Sequence, residues 1–210
     1  MSSSTRSRRT QAQRSASTQE RLLRATIGCW SEFGYAHTST ALITRRAGVT
    51  RGALNHHYPS RDELATAAVG YLVARWSADL AAVFAHGELP ISRQLDRLWD
   101  LHQGPICAAM IDMVIAARTD PALGGHRESV RACRRTSEAV THDPSAPSGP
   151  TSVSFPPWAD IALDTMCGLL LRTLGSDDPA AARQACWPAL RRQLIAMIDA
   201  RSRSGVLADS

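Results

Sequence analysis

The sequence predicts an all-α protein of about nine helices, and three observations support that prediction. Apolar residues recur every three or four positions through most of the 210 residues. Helix start and stop signals divide these stretches at short intervals. No stretch shows the strict apolar–polar alternation, bounded by turns, that is typical of a half-buried strand.

The composition indicates a globular protein with a basic N-terminal part. Hydrophobic residues make up 44% of the chain and charged residues 20%, and all 24 basic residues are arginine. Residues 1–63 contain ten arginines against four acidic residues, a net charge of +6, so the rest of the chain sums to −1. This distribution favours a polyanion-binding module attached to a domain with another role.

Targeting and redox signals favour the cytoplasm. The first residues lack the apolar stretch of a signal peptide, and we find no apolar run long enough to span a bilayer. The five cysteines are scattered, without the spacing of metal ligands. We therefore expect reduced, buried thiols, and neither a metal nor a cofactor.

Residues 1–16 are polar and basic, and we predict that they are disordered when free. Their arginines could follow the DNA backbone or simply keep the chain soluble. Helix one is predicted to follow a capping box, with Ser17 as N-cap and Glu20 three residues later, and to end near Phe33 before Gly34.

Two short helices joined by a tight turn are predicted within residues 40–58. Thr38 or Ser39 would cap the first of them, and Gly48 would end it in a left-handed conformation. Thr50 stands at the N-cap position of the second. A helix–turn–helix of this form presents its second helix to the DNA major groove.

A long fourth helix is predicted after a second capping box, Ser60 to Glu63, and its apolar stripe reaches Val83. A Pro- and Ser-rich loop is expected at 143–157. The other five helices are predicted near 91–102, 106–118, 120–140, 158–174 and 179–200.

Several short stretches follow one another at a fixed spacing: Phe33-Gly34-Tyr35, residues 38–43, residues 47–54, and residues 57–61 with Leu64. In this order and spacing they resemble the TetR family of transcriptional regulators. These stretches all lie within residues 33–64, in the N-terminal third of the chain. The resemblance implies a DNA-binding head at 17–63 and a ligand-binding and dimerisation domain at 64–210.

The resemblance also implies which residues meet DNA. Ser39, Thr40 and Arg61 would contact phosphates, Thr50, Arg51, Gly52 and Ala53 would face bases and nearby backbone, and Asn55, His56 and His57 would follow on the recognition helix. Arg51 could bind a guanine or only a phosphate. Asn55 replaces the tyrosine usual in the family, so it could bond adenine or make a weakened phosphate contact. Adjacent histidines point about 100° apart on a helix, so we interpret them as DNA donors rather than metal ligands.

A pocket for a largely apolar effector is predicted in the second domain, although simple core packing would give the same pattern. Its candidate lining residues are Trp99, His102, Cys107, Met110, Met113 and Val114. The sequence shows no nucleophile, base and orienting group in a recognisable order, so we do not expect an enzyme.

The last two predicted helices carry an apolar stripe that would suit either the core or a dimer interface. Its members are Ile161, Met166, Leu170, Leu174, Trp187, Leu190, Leu194 and Ile198. The resemblance favours a homodimer through these helices. The resulting hypothesis is a repressor released from a palindromic operator by a small molecule; the alternative is a regulator with no small-molecule ligand, constitutive or controlled by a protein.

Overall fold

The computed structural model describes residues 11–85, 89–120, 123 and 155–203, and within these ranges it contains helices and no strands. The helices are α1 (Gln11–Phe33), α2 (Thr40–Ala47), α3 (Arg51–His57), α4 (Arg61–Phe84), α5 (Ile91–His102), α6 (Pro105–Ala116), α7 (Trp158–Thr173) and α8 (Pro179–Arg203). The all-α prediction is confirmed. The helix predicted at 120–140 and most of the 143–157 loop lie outside the described residues.

The start of α1 corrects the sequence analysis. The helix begins at Gln11, so Ser17 lies within it and is not its N-cap, and residues 11–16 are not disordered. The Thr18 hydroxyl donates to the Arg14 carbonyl one turn earlier, and Glu20 pairs with Arg24 at 3.5 Å. Gln, Ala and Arg are good helix formers, so residues 11–16 extend α1 toward the N-terminus beyond Ser17.

The caps of the next three helices are as predicted. Ser39, Thr50 and Ser60 each adopt an extended backbone and accept a hydrogen bond from the backbone N–H three residues later, at 3.1–3.2 Å. The Ser60 hydroxyl also donates to the Glu63 carboxylate at 3.2 Å. These bonds satisfy amides that would otherwise have no helical partner, so they fix where α2, α3 and α4 begin.

Helix α1 belongs to two hydrophobic cores at once. Leu22 and Cys29 are buried with α2 and α3 in the core of the head. Trp30 is buried in the larger core of the body. The two cores meet on α4, where Leu64 lies in the head core and Ala65 in the body core. A shared helix and a continuous α4 therefore join the head to the body.

Helix α4 is the central helix of the body. Its residues Leu72, Trp76 and Leu80 are almost completely buried. By length and composition alone it could also cross a membrane, which the sequence analysis did not anticipate. Because its buried stripe packs in the body core, we interpret α4 as the core helix of this domain. Core helices can have the same length and apolar composition as membrane-spanning helices.

The last two helices place much of their apolar stripe inside the protomer. Met166, Leu170, Leu194 and Ile198 are buried within a single chain. Trp187, also in the stripe, stacks on Trp99 of α5, with ring centroids 4.4 Å apart and an interplanar angle of 6°. These five residues therefore belong to the core of the protomer, which was one of the two alternatives predicted for the stripe; the other was a dimer interface.

Candidate nucleic-acid interface

The turn of the helix–turn–helix is built around Gly48. This residue has φ 61° and ψ 42°, and its backbone N–H donates to the Arg45 carbonyl at 3.2 Å. The Arg21 side chain of α1 donates to the carbonyls of Ala47 and Gly48. A Cβ on Gly48 would lie 3.1 Å from the Arg21 guanidinium. Glycine is thus favoured here by backbone conformation and by space, and Arg21 satisfies carbonyls at the end of α2.

Helix α3, the second helix of the helix–turn–helix, is anchored by a single buried residue. Leu54 is only 2% exposed and packs in the head core. Arg51, Gly52, Asn55 and His56 are exposed, while Ala53 and His57 are half-buried. The helix therefore presents a guanidinium, an amide and an imidazole to solvent from a short, capped scaffold. These groups can bond base edges and phosphates.

The candidate phosphate contacts at the helix starts keep a free donor function. The Ser39 and Thr50 hydroxyls act as acceptors in their caps, and a hydroxyl can still donate its proton to a phosphate oxygen. Both residues are exposed, and Thr40 is half-buried. The starts of α2 and α3 can thus offer hydroxyl donors beside backbone amides, an arrangement suited to anions.

Helix α2 is tied to α1 by an arginine that the sequence analysis did not single out. Arg46 forms an ion pair with Glu32, and its guanidinium lies over Gly28, where a Cβ would come within 2.9 Å. Burial raises the pKa of the neighbouring Cys29 thiol, although the positive charge of Arg46 opposes that rise. Cys29 is therefore a structural thiol of the head core.

Arg61, the predicted phosphate contact at the start of α4, bonds the turn between α1 and α2 while remaining exposed. Its Nη2 donates to the Tyr35 carbonyl at 3.1 Å, and its guanidinium lies 4.9 Å from the centroid of the Tyr35 ring. On the other side, the Tyr35 N–H donates to the Asp112 carboxylate of α6 at 2.6 Å. Neither contact could be predicted from local sequence patterns, because the partners are 26 and 77 residues apart.

The candidate effector residues divide into two groups. His102, Cys107 and Met110 line a cavity of about 10 Å³, together with Trp76, Ile111, Leu163 and Cys167. Within it, Cys107 Sγ lies 3.3 Å from His102 Nδ1. Trp99, Met113 and Val114 are not among its lining residues, and the first two are buried in the body core.

Comparison with known proteins agrees with this geometry. A family model described as bacterial regulatory proteins, tetR family, matches residues 22–68. An HTH-type transcriptional regulator of Mycobacterium tuberculosis is 36% identical over 153 residues, which cover 70% of this chain and 75% of that protein. The HTH-type transcriptional regulator CymR of Pseudomonas putida is 34% identical over 140 residues, covering 65% and 67% of the two chains.

The solved structures show the same fold. A transcriptional regulator from Rhodococcus sp. Rha1 has a TM-score of 0.53 and 22% identity, covering 87% of this chain and 96% of that one. A regulator from Aquifex aeolicus has a TM-score of 0.50 and 18% identity, covering 86% and 99%. Together with the match over residues 22–68 and the relatives above 30% identity, the capped helix–turn–helix shows that the chain belongs to the TetR family and is a helix–turn–helix transcriptional regulator.

Proposed function

We propose that the protein is a cytoplasmic, homodimeric repressor that binds a near-palindromic DNA operator and is released from it by a small, largely apolar molecule. The observation that supports this most strongly is the exposed face of α3, where Arg51, Asn55 and His56 project from a helix anchored by Leu54. A capped helix with an arginine and an amide at its free face is suited to reading the major groove.

The two base-reading residues would be Arg51 and Asn55. An arginine binds the O6 and N7 atoms of guanine with two hydrogen bonds, and an asparagine can do the same with the N6 and N7 atoms of adenine. Each such pair discriminates against the wrong base by about 1–3 kcal/mol. In a dimer, the two recognition helices would enter successive major grooves about 34–36 Å apart.

Dimerisation is supported by the outer face of α7 and α8. Leu171 and Leu174 are 45% and 55% exposed, unusual values for leucines of a core helix. An open groove of about 370 Å³ lies between the two helices, and it is lined by Thr165, Gly168, Leu169, Arg172, Cys186, Ala189, Leu190 and Gln193. A second copy packing its own α7 and α8 here would bury these surfaces in a four-helix bundle.

The effector would occupy the cavity beside α4, α6 and α7. Trp76 lines it, and the Trp76 indole N–H is buried with no hydrogen-bond partner in the described part of the chain. Leaving a buried donor unsatisfied costs about 1–3 kcal/mol, so a ligand with one acceptor atom would gain by bonding it. Met110, Ile111 and Leu163 would contact the apolar remainder of the ligand.

A regulator with no small-molecule ligand is the second candidate, and the size of the cavity favours it. A volume of about 10 Å³ has room for about one water molecule. Effector binding would therefore require α6 or α7 to move outward. A thermal-shift screen of a small-molecule library against the full chain finds ligands, and their affinity with and without operator separates the candidates. An effector must weaken operator binding, and operator must weaken effector binding by the same factor. Ligands that bind equally well with and without operator would exclude the release mechanism.

DNA reading is tested by substituting Arg51. We expect Arg51→Ala to weaken binding to an operator selected in vitro by roughly 10- to 100-fold, while binding to random duplex falls much less. Arg75→Ala serves as control, because it removes the same charge from α4, where Arg75 pairs with Asp79 at 3.0 Å. An equal loss on both DNAs would show that Arg51 contacts only phosphate.

A further inference from the structure

The turn between α1 and α2 is held by a cluster of three residues that we call the Tyr35 clamp: Asp112, Tyr35 and Arg61. The Tyr35 N–H donates to Asp112 Oδ2 at 2.6 Å, and the Tyr35 carbonyl accepts from Arg61 Nη2 at 3.1 Å. Both backbone polar groups of one residue are thereby bound by charged side chains from two different helices. Hydrogen bonds to ionised groups are about twice as strong as neutral ones.

The two sides of the clamp belong to different parts of the protein. Arg61 is the first residue of α4, directly after the Ser60 cap and close to the recognition helix. Asp112 lies in α6, whose sequence PICAAMIDMVIA contains no other charged residue. A carboxylate in such an apolar helix is costly to bury without a partner. In this fold a backbone N–H of the head is a partner of that carboxylate.

The backbone at Gly34 allows α6 to come this close. Gly34 has φ 79°, a conformation that side-chain-bearing residues rarely adopt. A Cβ on Gly34 would lie 3.2 Å from Asp112 Oδ1, a tight contact. The glycine thus makes the turn after α1 and leaves space for the carboxylate of α6. The contact between α6 and this turn therefore depends on Gly34 in the turn and on Asp112 in the helix.

Helix α6 also forms one wall of the cavity. Met110 and Ile111 line it from α6, and Leu163 and Cys167 line it from α7. The cavity holds only about 10 Å³, so a larger occupant must displace a wall. Because protein interiors are close-packed, a shift of Ile111 moves the next residue, Asp112, with it.

We propose that Asp112 is the positioning residue through which the state of the cavity controls the DNA-binding head. The proposal rests on the proposed function, in which an occupant of this cavity releases the operator. Outward displacement of α6 draws the Asp112 carboxylate away from the Tyr35 N–H. The Tyr35 turn leads directly into α2, so its displacement reorients the helix–turn–helix. This route runs through α6 and the turn, in addition to the continuous helix α4.

A double-mutant cycle tests the proposal without a known effector. Cys167→Leu fills the cavity from α7 and stands in for an occupant, and Cys167→Val is a milder version in case the larger side chain prevents folding. Affinity is measured on a duplex selected in vitro by the wild-type protein. We expect Cys167→Leu to weaken operator binding at least about fivefold in the wild-type background. In the Asp112→Ala background, the same substitution should change affinity by less than about twofold.

Two controls separate coupling from simple loss of structure. Asp112→Asn keeps an oxygen that can accept from the Tyr35 N–H, so this variant should retain most of the effect of Cys167→Leu. Asp79→Ala removes a carboxylate from α4 outside the clamp and should leave the effect unchanged. Amide hydrogen exchange in the full chain should be faster at Tyr35 in Asp112→Ala and in Cys167→Leu than in wild type.

The possible results distinguish failure of the Asp112 coupling from failure of the proposed DNA-binding function. If Cys167→Leu weakens binding by the same factor with and without Asp112, or folds and binds operator like wild type, the clamp does not couple cavity and head. If the wild-type protein selects no DNA sequence at all, the proposed function itself is wrong.

Discussion

Gly48→Ala is the substitution whose cost follows most directly from the geometry of the head. At φ 61°, an L-residue with a side chain pays about 1–2 kcal/mol for the left-handed conformation. The added Cβ would also lie 3.1 Å from the Arg21 guanidinium. If Arg21 gives way, one or both of its bonds to the carbonyls of Ala47 and Gly48 weaken, which costs about another 1 kcal/mol. We expect the free energy of unfolding to fall by roughly 2–3 kcal/mol.

Urea denaturation of the full chain measures this effect, and one fixed protein concentration is used because the stability of the proposed dimer would depend on concentration. Gly70→Ala is the matched control, because Gly70 is an exposed residue of α4 with no atom near the added methyl group. That substitution should stabilise the protein by about 1 kcal/mol. Arg21→Met separates the two contributions, and it should cost about 1 kcal/mol without backbone strain. A Gly48→Ala variant within about 0.5 kcal/mol of wild type would show that neither the left-handed backbone nor the Arg21 contact limits this position.

Two further predictions concern the interface and the head core. If the Arg61 guanidinium reaches a phosphate while bound to Tyr35, Arg61→Ala should weaken binding to operator and to random duplex by similar factors. The slope of log K against log salt should also become shallower by about one. An unchanged salt slope would assign Arg61 to the turn alone. Burial raises the pKa of Tyr58, so its contribution to stability is complete below the unfolded-state pKa and is lost as pH rises through the folded-state pKa. Urea unfolding between about pH 9 and about pH 11 should therefore show a steeper loss of stability in wild type than in Tyr58→Phe, and equal slopes would contradict this.

Local rules of helix capping and turn formation predicted the head well. Ser39, Thr50 and Ser60 each act within three residues of their partners, and Gly48 acts through its own backbone. Such features depend on a few neighbouring residues, so a single sequence contains them. The capping pattern at Ser17 failed for the same reason, because the pattern alone does not show that the preceding residues continue a helix.

Contacts between distant segments could not be predicted from these patterns. Arg21, Asp112 and Arg61 bond backbone groups that are 26 to 77 residues away, and their partners depend on how whole helices pack. The stripe on α7 and α8 was ambiguous for a related reason. Core and dimer interface both need apolar residues at helical spacing, and only packing showed that Met166 and Ile198 belong to the protomer core.

The proposed function requires the exposed α3 to read a specific, symmetric DNA site. Selection of bound duplexes from a random library by the 210-residue chain, followed by sequencing, measures this directly. We expect an inverted repeat whose half-sites are about 34–36 Å apart, with the strongest base preference at the positions facing Arg51 and Asn55. In Arg51→Ala, the base preference should be lost at one position per half-site. Recovery of no enriched sequence, or of the same sequence with Arg51→Ala as with wild type, would contradict the assignment of α3 as the reading element.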